Sequence, residues 1–252
     1  MHTSPGTEFR DEYTPAPEQS SGVHTMTQQD ILGWDIATWA RALRFWEKTI
    51  SAQNFDLRYG LEIGAHNGGI SLFFAKQYGA NMVCSDLNPV SEKAKSLHLE
   101  NGVSARIQYA ELDATAIPYP DNSFDFVVFK SVLGAIGRQD QPEKQQRAIA
   151  EMHRVLKPGG VLFFAENLQG SILHRLTRSA FVPWGKSWRY LKIKELNEWL
   201  SVFEKKEIHA TGFFAAFVPK PEWLKSAVAA FDALLPFIPK AWRYVAYGYA
   251  RK

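Results

Sequence analysis

The stretch Leu61-Glu62-Ile63-Gly64-Ala65-His66-Asn67-Gly68-Gly69, written LEIGAHNGG, decides how the rest of the chain is read. An apolar run ends in an acid, and three glycines follow within six residues. The apolar segment ISLFFAKQY comes next. This is the order strand, tight turn, helix. Such a turn brings bare backbone and the N–H donors of a helix start close to a ligand, and suits a carboxylate or phosphate. The spacing is neither the dinucleotide pattern G-x-G-x-x-G nor a P-loop, since no Lys-Ser/Thr pair follows.

Outward from this turn the chain alternates strand and helix. Residues 58–63 predict a first strand and residues 69–77 a helix. NMVCSD predicts a second strand, followed by a helix over residues 91–99. ARIQYAELD predicts a third strand, and FDFVVFK a fourth, apolar enough to be covered on both faces. EKQQRAIAEMHRVL predicts a helix stopped by KPGG, and VLFFAEN a fifth strand. Repeated β–helix–β units with right-handed crossovers give a parallel sheet with helices on both faces. KEIHATGFFAAFV and WRYVAYGYARK predict two late strands, with PEWLKSAVAAFDALLPFIPKA between them as an amphipathic helix. Ahead of the sheet, Leu32, Ile36, Trp39, Leu43, Trp46 and Ile50 are spaced by fours and threes, one face of a leading helix. Its tryptophans either fill the core or line a pocket.

Four segments resemble, in order and spacing, the motifs of class I S-adenosylmethionine-dependent methyltransferases of the small-molecule type. Glu62 with Gly64 and Gly68 is similar to the first motif, with His66 where a middle glycine is usual. Asp86 in VCSDLNP ends the second strand. Asp113-Ala114 and the following IPYPDNSFD lead into the fourth strand, and HRVLKPGGVLFFAE closes the nucleotide half. The resemblance runs from about residue 59 to 166. It implies a Rossmann-like, doubly wound α/β fold with a seven-stranded, mostly parallel sheet whose last strand is antiparallel. The expected division is an N-terminal arm over residues 1–29 and one domain over 30–252. That domain comprises the leading helix (30–56), a cofactor-binding core (57–166), and a substrate cap with the final strands (167–252).

The resemblance also implies roles. Glu62 lies near the methionyl amino group, Gly64, His66 and Gly68 form the turn, and Asp86 with Leu87 meets the ribose. Asp113 and Ala114 flank the adenine, and Lys130 lies beneath the cofactor. Ser131, at the end of strand four, joins Trp39, Arg178, Trp184, Trp188 and Tyr190 as candidate acceptor contacts. Aromatic and cationic residues alternate in the irregular segment after strand five, where ligands meet such sheets. Many small-molecule members carry a histidine after strand four, but SVLGAIG lacks it. His174, in the segment after strand five, and Glu166 upstream of it are the candidate bases. The expected activity is transfer of a methyl group from S-adenosylmethionine to O or N of a small acceptor, anionic or sugar-like. The alternatives are a catalytically silent cofactor-binding or regulatory protein, and a membrane-surface methyltransferase acting on a lipid-linked acceptor.

Composition bounds these readings. The 252 residues are 46% hydrophobic and 22% charged, an ordinary globular balance. A net charge of +3 does not announce a nucleic-acid binder. A single cysteine, Cys84, excludes an intramolecular disulfide and suggests a reducing, cytoplasmic setting. No apolar run reaches the ~18 residues of a membrane span, although peripheral contact through AVAAFDALLPFIP stays open. The first 29 residues, rich in Pro, Ser, Thr and charge, read as a flexible arm without a signal peptide. The histidines are scattered without metal-ligand spacing, so no metal is expected. Sequence sets no oligomeric state.

Overall fold

FDFVVFK forms the middle of the sheet. In the computed structural model, which describes residues 25–181, 187–218 and 220–252, this segment is β4 (Phe124–Lys130). Phe126 and Val128 point into one apolar core, and Val127 and Phe129 into the other. That two-residue alternation lets one strand bury both faces.

The remaining strands are β1 (Tyr59–Ile63), β2 (Asn81–Asp86), β3 (Ile107–Glu111), β5 (Leu156–Asn167), β6 (Lys205–Thr211) and β7 (Val245–Arg251). They stand in the order β3-β2-β1-β4-β5-β7-β6. β1 to β5 pair in parallel, and β7 runs antiparallel to both β5 and β6. This is the doubly wound, seven-stranded architecture that the sequence predicts. The order reverses at β1, with β2 on one side and β4 on the other. Ligands in open α/β sheets bind at such a switch point, outside the carboxyl ends of the strands.

The helices are α1 (Gln28–Leu32), α2 (Ile36–Ala52), α3 (Gly69–Tyr78), α4 (Glu92–Glu100), α5 (Leu133–Ile136), α6 (Pro142–Val155), α7 (Ile172–Phe181), α8 (Ile193–Trp199) and α9 (Glu222–Ala233). α2, α3 and α4 pack on one core, and α5, α6 and α8 on the other. The expected leading helix is two helices. Gly33 (φ +75°) and Asp35 (φ +46°) adopt left-handed backbone between them, which an uninterrupted α-helix does not allow. α1 starts at Gln28 behind a capping box of Thr27 and Asp30, so order begins within the expected arm; residues 1–24 of that arm lie outside the described residues.

KPGG is a second departure, because it belongs to the start of β5 as a bulge: Gly159 takes φ +76°, and the register against β4 slips between the pairs Phe124–Leu156 and Phe126–Val161. A third is GFFAAFV, which is not strand. Phe214–Phe217 form a 3-10 turn, since the buried Asp232 carboxylate accepts the backbone N–H groups of Phe213 (2.7 Å), Phe214 (3.0 Å) and Ala215 (3.1 Å). Those donors have no strand partner, and the acid from α9 replaces it.

Trp46 is wholly buried, and its indole N–H donates to the Gly248 carbonyl at 3.1 Å, tying α2 to β7. Replacing Trp46 by Ala is expected to cost about 3–5 kcal/mol, measured as a lower urea midpoint at unchanged slope.

Candidate functional site

The turn after β1 is made by left-handed residues. Gly64 (φ +69°), His66 (φ +49°) and Gly68 (φ +71°) all take positive φ. The glycines answer to packing within the protein. A Cβ on Gly64 would sit 2.5 Å from Val132, and one on Gly68 would sit 2.6 Å from the His98 ring. His66 occupies the middle-glycine position with an exposed side chain, so its cost is the left-handed backbone alone.

Two groups hold this turn. The Asp86 carboxylate, at the tip of β2, accepts the His66 N–H (2.9 Å) and the Leu87 N–H (2.8 Å). From the other side His98 Nε2–H donates to the Gly68 carbonyl at 2.8 Å. Because that carbonyl only accepts, Nδ1 is left to accept from the Tyr109 hydroxyl at 3.0 Å. Burial holds His98 below the usual histidine range, which keeps the ring neutral. His98 escapes a reading by motif, because its partners lie 30 and 11 residues away.

The turn opens onto a cavity of about 850 Å³. Of the expected cofactor residues, Glu62, Gly64, His66, Asp86, Leu87, Asp113, Ala114 and Lys130 line it, while Gly68 lies behind its wall. Of the expected acceptor residues, Ser131 and Trp188 line it. The leading segment, read from sequence as core or pocket lining, supplies one wall through Asp30 to Trp34; Arg138 after α5 and Lys144 of α6, which the sequence reading did not name, bring cations. α1 rests directly on the α3 backbone: a Cβ on Gly69 would come within 2.3 Å of the carbonyls of Asp30 and Ile31.

At the base of the cavity, Glu62 is buried. Its Oε2 accepts the Ser71 N–H (2.8 Å) and Oγ–H (2.5 Å). Burial pushes its carboxyl up to about 7, against the pull of those bonds and of Lys130. Lys130, at the tip of β4, sets its ammonium 4.8 Å from the Trp34 ring and 4.9 Å from the Trp39 ring. Burial lowers it to about 8, while Glu62, Glu166 and Asp35 act to hold it up. Trp39 lies beneath, fully buried, with an indole N–H that has no partner among the described residues; it meets the site through Lys130 and through Trp34, whose ring centre lies 5.3 Å from its own. Ser131 has φ +60°, a sparsely populated conformation for a non-glycine residue, and its Oγ accepts from Asn167 Nδ2 at 2.6 Å. Asp113 uses Oδ1 to accept from the N–H and hydroxyl of Thr115, both at 2.8 Å.

A second cavity, about 680 Å³, shares Gln139 and Trp188 with the first and is lined by Arg178 and Tyr190. The Arg178 guanidinium lies 4.1 Å from the Tyr190 ring centre and donates to the carbonyls of Leu168 and Gln169. No carboxylate pairs with it among the described residues. Trp188 packs on Gly134, where a Cβ would come within 2.8 Å of its ring. Trp184 lies outside the described residues.

The two candidate bases are corrected by their surroundings. Glu166 is fully buried and lines neither cavity. Its Oε2 accepts from Val132 (2.8 Å) and Leu133 (2.7 Å), and its Oε1 from Asn167 (2.8 Å). It fastens the loop after β4 and has no open path to a substrate. His174 is likewise enclosed. Its Nε2–H donates to the Phe213 carbonyl at 3.0 Å, its Nδ1 accepts from the Ser171 hydroxyl at 2.8 Å, and Phe213, Phe217 and Tyr244 surround the ring. Burial lowers its pKa. Glu166 thus holds the loop after β4, and His174 ties α7 to the Phe213 turn within the cap. Among the described residues no cluster suited to a metal ion occurs.

Comparison with known proteins agrees with this geometry. Residues 61–164 match the family model described as a methyltransferase domain. The ubiquinone/menaquinone biosynthesis C-methyltransferase UbiE of Teredinibacter turnerae is 32% identical over 140 residues, 52% of this chain and 53% of that protein. The chain thus matches about half the length of such relatives. Among solved structures, phosphoethanolamine N-methyltransferase 2 of Haemonchus contortus, in complex with phosphomonomethylethanolamine and S-adenosylhomocysteine, superposes with a TM-score of 0.59 at 18% identity, over 85% of this chain and 52% of that one. The [4+2]-cyclase SpnF gives 0.58 at 21% identity, over 83% and 80%. At those identities the structures speak for the fold alone. Motif order, sheet order and the matched segment agree: residues 61–164 match a methyltransferase domain and lie in a seven-stranded sheet of the kind the resemblance implies.

Proposed function

We propose that the protein transfers a methyl group from S-adenosylmethionine to a small acceptor that carries an anionic or hydroxylated group. One observation carries this reading: Glu62 and Asp86, at the tips of adjacent strands, face one cavity across a left-handed glycine turn. The donor set fits the cofactor. Asp86 spends one lone pair of each oxygen on backbone N–H groups, which leaves acceptor capacity for two ribose hydroxyls. Leu87, Leu112 and Ala114 offer apolar surface for a flat base. Glu62 and Lys130 present opposite charges, matching the amino and carboxylate groups of an amino-acid end. The cavity volume also lies within the roughly 300–1,000 Å³ of small-molecule sites.

When bound, the cofactor supplies a methyl group already activated by its sulfonium. The chain's own work is then to orient and to exclude water. Holding two reactants in line supplies up to about 7–11 kcal/mol in favourable cases. The acceptor enters past Trp188, where the two cavities meet, and Arg178 takes its anionic or hydroxylated group. With Glu166 and His174 both engaged elsewhere, the acceptor brings its own nucleophilicity, as an amine, an acidic hydroxyl or an electron-rich ring carbon. The sequence reading favours O or N, and the names of the UbiE relatives point to carbon. The site of a 13C-labelled methyl group in the product, read by NMR, distinguishes them. The fold alone does not fix methyl transfer, since it is also that of a [4+2]-cyclase, so cofactor binding without transfer, as a silent or regulatory protein, is the second reading.

Calorimetry with S-adenosylmethionine and its demethylated product tests the binding half. Replacing Asp86 by Asn is expected to weaken both about 10- to 100-fold, the loss of charge-assisted hydrogen bonds. No heat with either compound overturns the proposal.

Affinity also depends on pH in a stated direction. Glu62 is neutral below about 7 and charged above it. Lys130 is charged below about 8 and neutral above it. Both are predominantly charged only in the neutral range, so cofactor affinity is expected to fall on either side of it, with Glu62 giving the acid limb and Lys130 the alkaline limb. Replacing Lys130 by Met removes the alkaline limb in a titration series across pH.

Two further replacements separate positioning from chemistry. Glu166→Gln and His174→Gln are each expected to lose about 1–3 kcal/mol of stability, because a buried partner is left unmatched. Their turnover at saturating substrate, below the melting range, changes less than tenfold. A base directly involved in proton transfer would cost about 10²–10⁴-fold.

A further inference from the structure

Among the described residues, the cap carries most of the exposed large apolar side chains. Of the large hydrophobic side chains that stand exposed among the described residues, two-thirds belong to α7, the 3-10 turn, α9 and the stretch after it. On α7 these are Ile172, Leu173 and Leu176. Beyond it, Trp223 is 72% exposed and Phe237 76%. These elements share one hub. His174 of α7 and Trp242 both pack on Phe213, and Asp232 of α9 accepts the backbone N–H groups of Phe213 to Ala215.

Charge says what covers this face. Residues 168–192 hold five lysines and arginines and no acid. Residues 212–243 hold four more, against Glu222 and the buried Asp232, in a chain whose net charge is only +3. Some of these cations are engaged: Lys225 pairs with Asp35, Arg189 with Asp140 and Glu195, and Arg243 donates to carbonyls. Arg175, Lys220 and Lys240 are exposed, and no ion pair involves them among the described residues. Exposed tryptophan and aliphatic side chains beside unpaired cations, with one exposed acid, match the interface of an anionic bilayer. No helix among the described residues is long and apolar enough to cross a membrane, so the contact lies in the plane of the surface.

We infer that the face formed by α7, the Phe214–Phe217 turn and α9 docks the domain on anionic lipid surfaces, with Trp223 and Phe237 entering the interface and Arg175, Lys220 and Lys240 meeting headgroups. This goes beyond the proposed methyl transfer and does not depend on it.

Flotation of the full-length protein with vesicles tests it. The protein is expected to float with vesicles of phosphatidylcholine mixed with phosphatidylglycerol, less with phosphatidylcholine alone, and less as salt is added. The double replacement Trp223→Ser with Phe237→Ser is expected to lower partitioning by roughly 10²-fold. A second variant, Arg175→Glu with Lys240→Glu, is expected to abolish the preference for the anionic mixture. Unchanged circular dichroism and melting temperature in both variants certify folding, and calorimetry with the cofactor tests the catalytic reading separately. No flotation at low salt, or equal flotation of the wild type and the Trp223→Ser/Phe237→Ser protein, overturns the inference. A concentration-dependent dimer in sedimentation velocity that this double replacement dissolves also overturns it, since a second copy would then be the occupant.

Discussion

A single carboxylate joins the two strands on which the cavity depends. Asp86 ends β2, and it reaches back to the N–H of His66 in the turn that follows β1. The turn needs that anchor because three of its residues carry positive φ and none of them is stabilised by regular secondary structure. His98 supplies the opposing tether at Gly68, where α3 begins. Between these two fixed points the backbone cannot close over the cavity. The glycines follow from the same constraint: Val132 and His98 occupy the space a side chain would need, so the close packing that shapes the turn also leaves its backbone bare toward the ligand.

The electrostatics of the cavity floor grow from burial. Glu62 is buried and Lys130 half-buried at the ends of β1 and β4, and each is moved toward neutrality by that burial. Each is also held toward its charged form by the other. The indoles of Trp34 and Trp39 face the ammonium in place of water. An amino-acid zwitterion brings the complementary pair of charges and would compensate both at once.

The turn after β1 and the sheet around it were legible in the sequence because their constraints are local. Glu62, Gly64 and Gly68 lie within seven residues, Asp86 ends β2, and Asp113 follows β3 by two residues. The acceptor half was less legible. Glu166 and His174 follow a strand end, where ligands bind, yet sequence position does not say what a side chain reaches. Backbone donors from Val132, Leu133 and Asn167 absorb Glu166, and Phe213 and Ser171 absorb His174. The break between α1 and α2 was hidden because apolar spacing carries on across Gly33 and Asp35. The 3-10 turn at Phe214 was hidden because its stabilising acid comes from α9, 18 residues on.

Asp35 has a role in how this scaffold can change. It accepts from Thr38 and from the Tyr244 hydroxyl, and it pairs with Lys225 of α9 at 2.7 Å. One residue near the start of the domain therefore latches the cap near its end. A lineage that exchanged the stretch after β5 for another recognition module, while keeping β1 to β5, would inherit this latch as a compatibility requirement. The incoming module would have to bring its own cation and phenol to the same carboxylate, or the domain's first two helices would have to be exchanged along with it.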